Sequence, residues 1–335
     1  MRRFLIKTTC IALPFLFLSI WAECTLRNMP NDYQFTFDYL SKHCHEIEIL
    51  NLGSSHGDNS INPDYFSRPA FNAGISGQPL EYDYAFIDTF IDSLDLLKVL
   101  ILPISYFSLN RRELHYSLER NARNDGERNL IQNENIRAMY YRLYCPFMHN
   151  PIHRRFLFIR TLPFGNVRKV FLNSVRKVLF KTSDAYSVDI SANGCTMLYG
   201  TFNPQEQARL TQDIIMEDKY LSSATATCNN QRVVSILQRC QKRNIQVILL
   251  STPVTDVYRK GCNPMQWAYV QEKCEQWAHE YDNAIYVNMF ASTRFTYDDF
   301  GNCNHLNIDG AKKCTLILDS IIENSLLPQS YKNTL

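Results

Sequence analysis

Two hydrophobic periods alternate along the chain. Short runs dense in Ile, Leu and Val occur at 46–52, 98–104, 245–254 and 284–289, with a shorter one at 70–73. Gly, Pro, Asn or Ser close these runs, which predicts buried β-strands. Between them lie segments whose apolar positions recur every three or four residues. At 79–97, Tyr82, Phe86, Phe90, Leu94 and Leu97 form one stripe, while Asp83, Asp88 and Asp92 fall mostly elsewhere. That spacing predicts a helix whose aromatic stripe is core. Further helices are predicted from Asn31 or Asp32 to about Cys44, at 204–221, at 228–243, at 263–281 and at 308–327. The run 245–254 is apolar without alternation and reads as a parallel strand buried on both faces. Strands alternating with helices predict an α/β fold: an open, parallel, doubly wound sheet in a flavodoxin-like three-layer sandwich.

The alternation breaks in two places. Residues 1–24 set Arg2, Arg3 and Lys7 ahead of a mostly apolar run at 10–22. Counted from Phe4 the run is ~19 residues, or ~28 Å as a helix, close to the hydrocarbon thickness of a bilayer. Positive charge ahead of it predicts a cytoplasmic amino terminus and an extracytoplasmic remainder, periplasmic or at the cell surface. Lys7 divides the span, and the uninterrupted ~13 residues also suit a secretory signal segment. The segment is therefore expected to be an N-terminal membrane helix or a signal, ahead of one α/β domain at 31–327. The second break is a helical insertion at 110–199. Within it Val167, Val170, Phe171, Val175 and Val178 fall near one helical face, with Arg168, Lys169, Arg176 and Lys177 away from it. Such a basic amphipathic helix suits a lid, a headgroup or anionic-glycan surface, or an ordinary packed helix with a solvated face.

Composition narrows the partners. A net charge of +2 gives no electrostatic case for nucleic acid. Of 11 cysteines, setting Cys10 aside leaves ten, an even number on the side of the membrane where disulfides persist. Cys262 with Cys274, and Cys303 with Cys314, are candidates for local bridges, with buried thiols as the alternative. No Cys-x-x-Cys or paired His/Cys pattern stands in the sequence, so no metal and no cofactor is expected.

The candidate chemistry lies at two remote stretches. In EIEILNLGSSHG, at 46–57, a strand stops at Gly53-Ser54-Ser55 and holds a serine at its tip. Ligands of open α/β sheets bind beyond the carboxyl ends of the strands, and Gly53 permits the tight turn. In GNCNHLNIDGAKKC, at 301–314, His305 occupies a polar loop where the last strand hands over to the last helix. Gly74 and Gly77, after the second strand, let backbone amides approach a ligand. Ser105 or Tyr106, after the third, offers a hydroxyl to the same oxyanion. His56 would need a sharp turn to reach Ser55 and reads as a neighbouring loop residue.

On these residues the chain resembles the SGNH or GDSL-like hydrolase superfamily, in particular its membrane-anchored envelope branch of acyltransferase-like proteins. Gly53-Ser54-Ser55 matches the first block, Gly-x-Ser, which makes Ser55 the nucleophile. Asn72-Ala73-Gly74-Ile75-Ser76-Gly77 matches the second. The last block, Asp-x-x-His followed by Leu-Asn-x-x-Gly-Ala, is matched from Asn302 through His305 to Ala311. The resemblance implies His305 as base, Asn302 at the orienting position, and oxyanion donors from Ser55 and Gly74, with Ser105 as a substitute for the third block's Asn. Two departures stand out: Asn302 replaces the family's Asp, and no Gly-x-Asn-Asp follows the third strand. Asp298, Asp299 and Asp309 are the nearby carboxylates that could take the place of the missing one. The family implies serine-dependent acyl transfer or ester hydrolysis, on O-acyl groups of an extracytoplasmic polysaccharide or another ester, membrane lipid included. The departures raise a rival expectation, a scaffold that binds glycan or an envelope-assembly partner without turnover.

Overall fold

Five apolar runs form strands: β1 Ile49–Asn51, β2 Ala70–Asn72, β3 Val99–Pro103, β4 Gln246–Ser251 and β5 Ala284–Asn288. They pair in parallel in the order β2-β1-β3-β4-β5. This computed structural model describes residues 1–27, 32–110, 191–205 and 223–326. The helices are α1 Arg2–Arg27, α2 Asp32–His43, α3 Ser55–Asp58, α4 Leu80–Phe90, α5 Ser223–Lys242, α6 Asp256–Gly261, α7 Pro264–Glu280 and α8 Ile308–Leu326. Asp38–Arg120 and Asp189–Leu335 make one compact unit that carries the sheet; α1 and the start of α2 belong to another.

Successive strand residues face opposite sides of the sheet. Ile49, Val99, Ile101, Ile248 and Leu250 share one core with Cys314, Leu318 and Ile322 of α8. Their neighbours Leu50, Leu100, Leu102, Val247 and Leu249 are equally buried on the other side, where α4 and α5 pack together. Burial on both faces is why these runs show no polar alternation. The strand order reverses direction between β1 and β3. Right-handed crossovers then send the β1–β2 connection to one face and α4 and α5, which lie on the β2–β3 and β3–β4 connections, to the other. In agreement, α8 packs on the 3-10 turn Pro63–Tyr65 of the β1–β2 connection. The α/β class and the parallel sheet expected from the pattern are thus present. The crevice at the carboxyl ends of β1 and β3 is where such a sheet binds ligands.

Element ends follow local chemistry. Asn263 Oδ1 accepts from the N–H groups of Met265 and Gln266, with Pro264 in the first turn, so α7 starts where expected. The helix expected over 79–97 stops at Phe90, whose carbonyl accepts from Ser93 and Leu94 N–H. Continuing to Leu97 would leave no chain to turn into β3 at Val99. Leu94 and Leu97 are nonetheless buried, so the stripe is core.

Three expectations change or fall outside. Among the described residues no helix is long and apolar enough to cross a membrane, so the expected spanning anchor at 1–24 is not supported. Cys262, Cys274, Cys303 and Cys314 are free thiols, and neither local bridge forms. Their sulfurs face other groups: Cys262 the carbonyl of Tyr258 at 3.4 Å, Cys303 Asn304 Oδ1 at 3.7 Å, Cys314 Met289 Sδ at 3.9 Å. The basic helix at 167–178 and nearly all of the insertion at 110–199 and the helix at 204–221 lie outside the described residues.

Candidate functional site

The turn after β1 depends on two glycines. Gly53 has φ +102°, a conformation that side chains with a Cβ avoid. A Cβ at Gly57 would lie 2.4 Å from the Leu52 carbonyl oxygen and 2.9 Å from Pro103 Cγ, so α3 folds back onto β1 only with glycine there. Gly53 is also held from both sides. Its N–H donates to Asp83 Oδ1 at 2.9 Å, and its carbonyl accepts from Ile75 N–H at 3.0 Å. Beneath the turn, buried Asn51 and Asn72 bond to each other at 2.6 Å, and Asn72 Nδ2 donates to the carbonyls of Asp58 and Ile61. This network ties the end of α3 and the chain just after it to β2. Ser55 becomes the first helical residue, half-buried at the rim.

The histidine loop is a second rigid turn. Phe300 and Leu306 form an antiparallel bridge, and Gly301 N–H donates to the His305 carbonyl at 3.0 Å. Inside it, Asn302 Oδ1 accepts from the N–H groups of Asn304 and His305, at 3.1 and 2.9 Å. Asn307 Oδ1 accepts from Asp309 and Gly310 N–H and so starts α8. At Gly310 a Cβ would lie 2.0 Å from the Asp299 carbonyl oxygen, which accounts for the glycine of the last block.

These turns bring the expected triad together. His305 Nε2 lies 2.8 Å from Ser55 Oγ, and Asn302 sits at His305 Nδ1, with Oδ1 at 3.1 Å and Nδ2 at 3.0 Å. Burial pushes the His305 imidazole down to about 4, so at neutral pH the ring is uncharged. A neutral ring within hydrogen-bond reach of a hydroxyl is what general-base chemistry needs. The neighbouring Ser54 hydroxyl is buried without a hydrogen-bond partner, which favours Ser55 over Ser54 as nucleophile. The partner of Nδ1 is the Asn302 amide; Asp299 is instead paired with Lys313 at 2.7 Å. His56 packs edge-on against His305, ring centroids 5.1 Å apart, with Nδ1 at 3.4 Å from Thr252 Oγ1. It is a buried neighbour, on α3 rather than in a loop.

The expected oxyanion donors fare unequally. As the first residue of α3, Ser55 has an N–H without an intrahelical partner. Gly74 N–H donates instead to Asn72 Oδ1 at 2.9 Å, so this amide is committed within the fold. The Ser105 hydroxyl, buried at the end of β3, has no hydrogen-bond partner and remains an uncommitted donor. Tyr106 is core, its hydroxyl accepting from Asn263 N–H at 2.9 Å.

Two contributors had no clear signal in the sequence. Asp83 is buried, and burial pushes its carboxyl up to about 7 against the bonds from Gln78 and Gly53. Its spacing from Phe86, Ile87 and Phe90, three, four and seven residues on, was the available hint that it shares their inward face. The segment 195–200 straps the turn after β1 and the His305 loop together. Thr196 N–H donates to Asp58 Oδ1 at 3.0 Å, Ile308 N–H to the Leu198 carbonyl, and Asn307 Nδ2 to the Gly200 carbonyl. Asn193-Gly194, just before it, is the turn its dipeptide predicts, with Gly194 at φ +91°. Among the described residues no group of three or more His, Cys, Asp or Glu could hold a metal ion. No protein-family model and no curated protein matches the chain.

Proposed function

We propose that the protein performs serine-dependent acyl transfer or ester hydrolysis. The observation that carries this is the 2.8 Å contact between Ser55 Oγ and the neutral ring of His305. As Oγ attacks an ester carbonyl carbon, its proton moves to His305 Nε2. The C=O electron pair becomes an oxyanion facing the Ser55 N–H, with the Ser105 hydroxyl as a second donor. Collapse expels the alcohol, which takes the proton from His305, and leaves an ester on Ser55. Water or an acceptor hydroxyl then repeats the sequence in reverse. The resemblance to SGNH hydrolases supplies the finer substrate class, O-acyl groups of an extracytoplasmic polysaccharide. It also favours the three-layer, doubly wound description of the fold. Delivery across a membrane is part of the same proposal: the apolar stretch 10–22 has the length of a signal segment, and α1 leaves Ile11, Phe15 and Phe17 exposed.

A scaffold that binds glycan or an assembly partner without turnover is the second reading. The amide at Asn302 and the committed Gly74 N–H favour it. Turnover of p-nitrophenyl acetate by the purified full chain separates the two. The enzyme reading predicts hydrolysis above background that falls to background in Ser55→Ala and in His305→Ala. Equal rates in the wild type and both variants would leave the scaffold.

A further inference from the structure

The orienting residue at His305 is an amide, and its two ends are not equivalent. Asn302 Oδ1 already accepts from two backbone N–H groups, Asn304 at 3.1 Å and His305 at 2.9 Å. Those donors fix which end is oxygen, because turning the amide over would set its NH2 against two N–H groups. A carbonyl oxygen has two lone pairs, and both are taken. The Nδ2 group, at 3.0 Å from His305 Nδ1, still has hydrogens to donate. Resting on the proposed function for its catalytic meaning, we infer that Asn302 donates to His305 Nδ1 and holds the neutral ring with its proton on Nε2. Nε2–H then donates to Ser55 Oγ at 2.8 Å, the reverse of the polarity that activates a nucleophile. Asn302 is a positioning residue acting through His305. It keeps the pair assembled but in the resting tautomer, and turnover draws on the fraction of rings with the proton on Nδ1.

A carboxylate at this position has no hydrogen to donate and admits only Nδ1–H. Asn302→Asp should therefore switch the tautomer, raise Ser55-dependent ester hydrolysis by up to roughly 10⁴-fold, the factor lost when a triad carboxylate becomes an amide, and stabilise the imidazolium. The acid limb of its rate profile should move up from that of the wild type. His56 is the other titratable ring against His305, and the substitution does not alter it.

The test is ¹⁵N NMR of the full chain labelled at histidine, with His305 assigned by its loss in His305→Ala. The expected result at pH 7 is the proton on Nε2 in the wild type and on Nδ1 in Asn302→Asp. A wild-type ring protonated on Nδ1, or a tautomer unchanged by the substitution, overturns the inference. The wild-type spectrum alone decides if the variant does not fold. A tautomer that switches as expected, with no hydrolysis in either protein, upholds the role of Asn302 and refutes the proposed function instead.

Discussion

At the scale of single residues, the site depends on polar groups whose partners are fixed by backbone turns. Ser55 and His305 were legible because each stands at a strand-to-helix junction beside glycine, where an α/β sheet exposes side chains to ligands. The consequence of Asn302 was not legible, because it depends on which amide end the backbone of Asn304 and His305 selects. Gly74 was misread for a similar reason. Its amide is free in the sequence pattern and occupied by Asn72 in the fold. The burial of His305 gives a residue-scale expectation: the ring is pushed down to about 4, so the base form persists far below the usual histidine range. The acid limb of kcat/KM for ester hydrolysis by the wild type should fall near pH 4, and a limb near the ordinary value of about 6.5 would show a solvated ring.

At the scale of elements, α4 does more than cover the sheet. The strands were readable from their unbroken apolar runs, but α4 reads from sequence as a plain amphipathic helix with its carboxylates in water. Asp83 instead turns inward and holds Gly53 N–H, a contact made by folding residues 30 positions apart. Its carboxyl is raised in the folded state, so between its unfolded value and about 7 the folded chain binds more protons than the unfolded one. Stability from this group is therefore present at low pH and lost as pH rises toward 7. His305, lowered to about 4, acts with the opposite sign, its contribution being lost as pH falls from about 6.5. Each slope masks the other in the wild type. Asp83→Asn keeps the acceptor for Gly53 and removes one slope. In urea titrations the stability of this variant relative to wild type should grow as pH rises from about 4 to 7 and level off above that. A difference independent of pH would mean that Asp83 has no raised carboxyl.

At the scale of the molecule, the parallel order β2-β1-β3-β4-β5 sets the C-terminal ends of β1 and β3 side by side and brings a serine and a histidine 250 positions apart to one rim. The alternation of strands and helices foretold this convergence. The even number and the spacing of the cysteines pointed to local disulfides, and neither expected bridge forms. Spacing along the chain says nothing of where a sulfur points, and Cys303 and Cys314 point to Asn304 and Met289. The strap at 195–200 was equally hidden, since it acts through backbone groups that any residues could supply.

The proposed pairing of Ser55 and His305 as nucleophile and base is put to the proof by treating the folded protein with a serine-directed fluorophosphonate and locating the adduct by mass spectrometry of its peptides. A single adduct on Ser55, absent from His305→Ala, is the outcome expected of this geometry. An adduct elsewhere, or labelling of Ser55 that persists at full rate without His305, contradicts it.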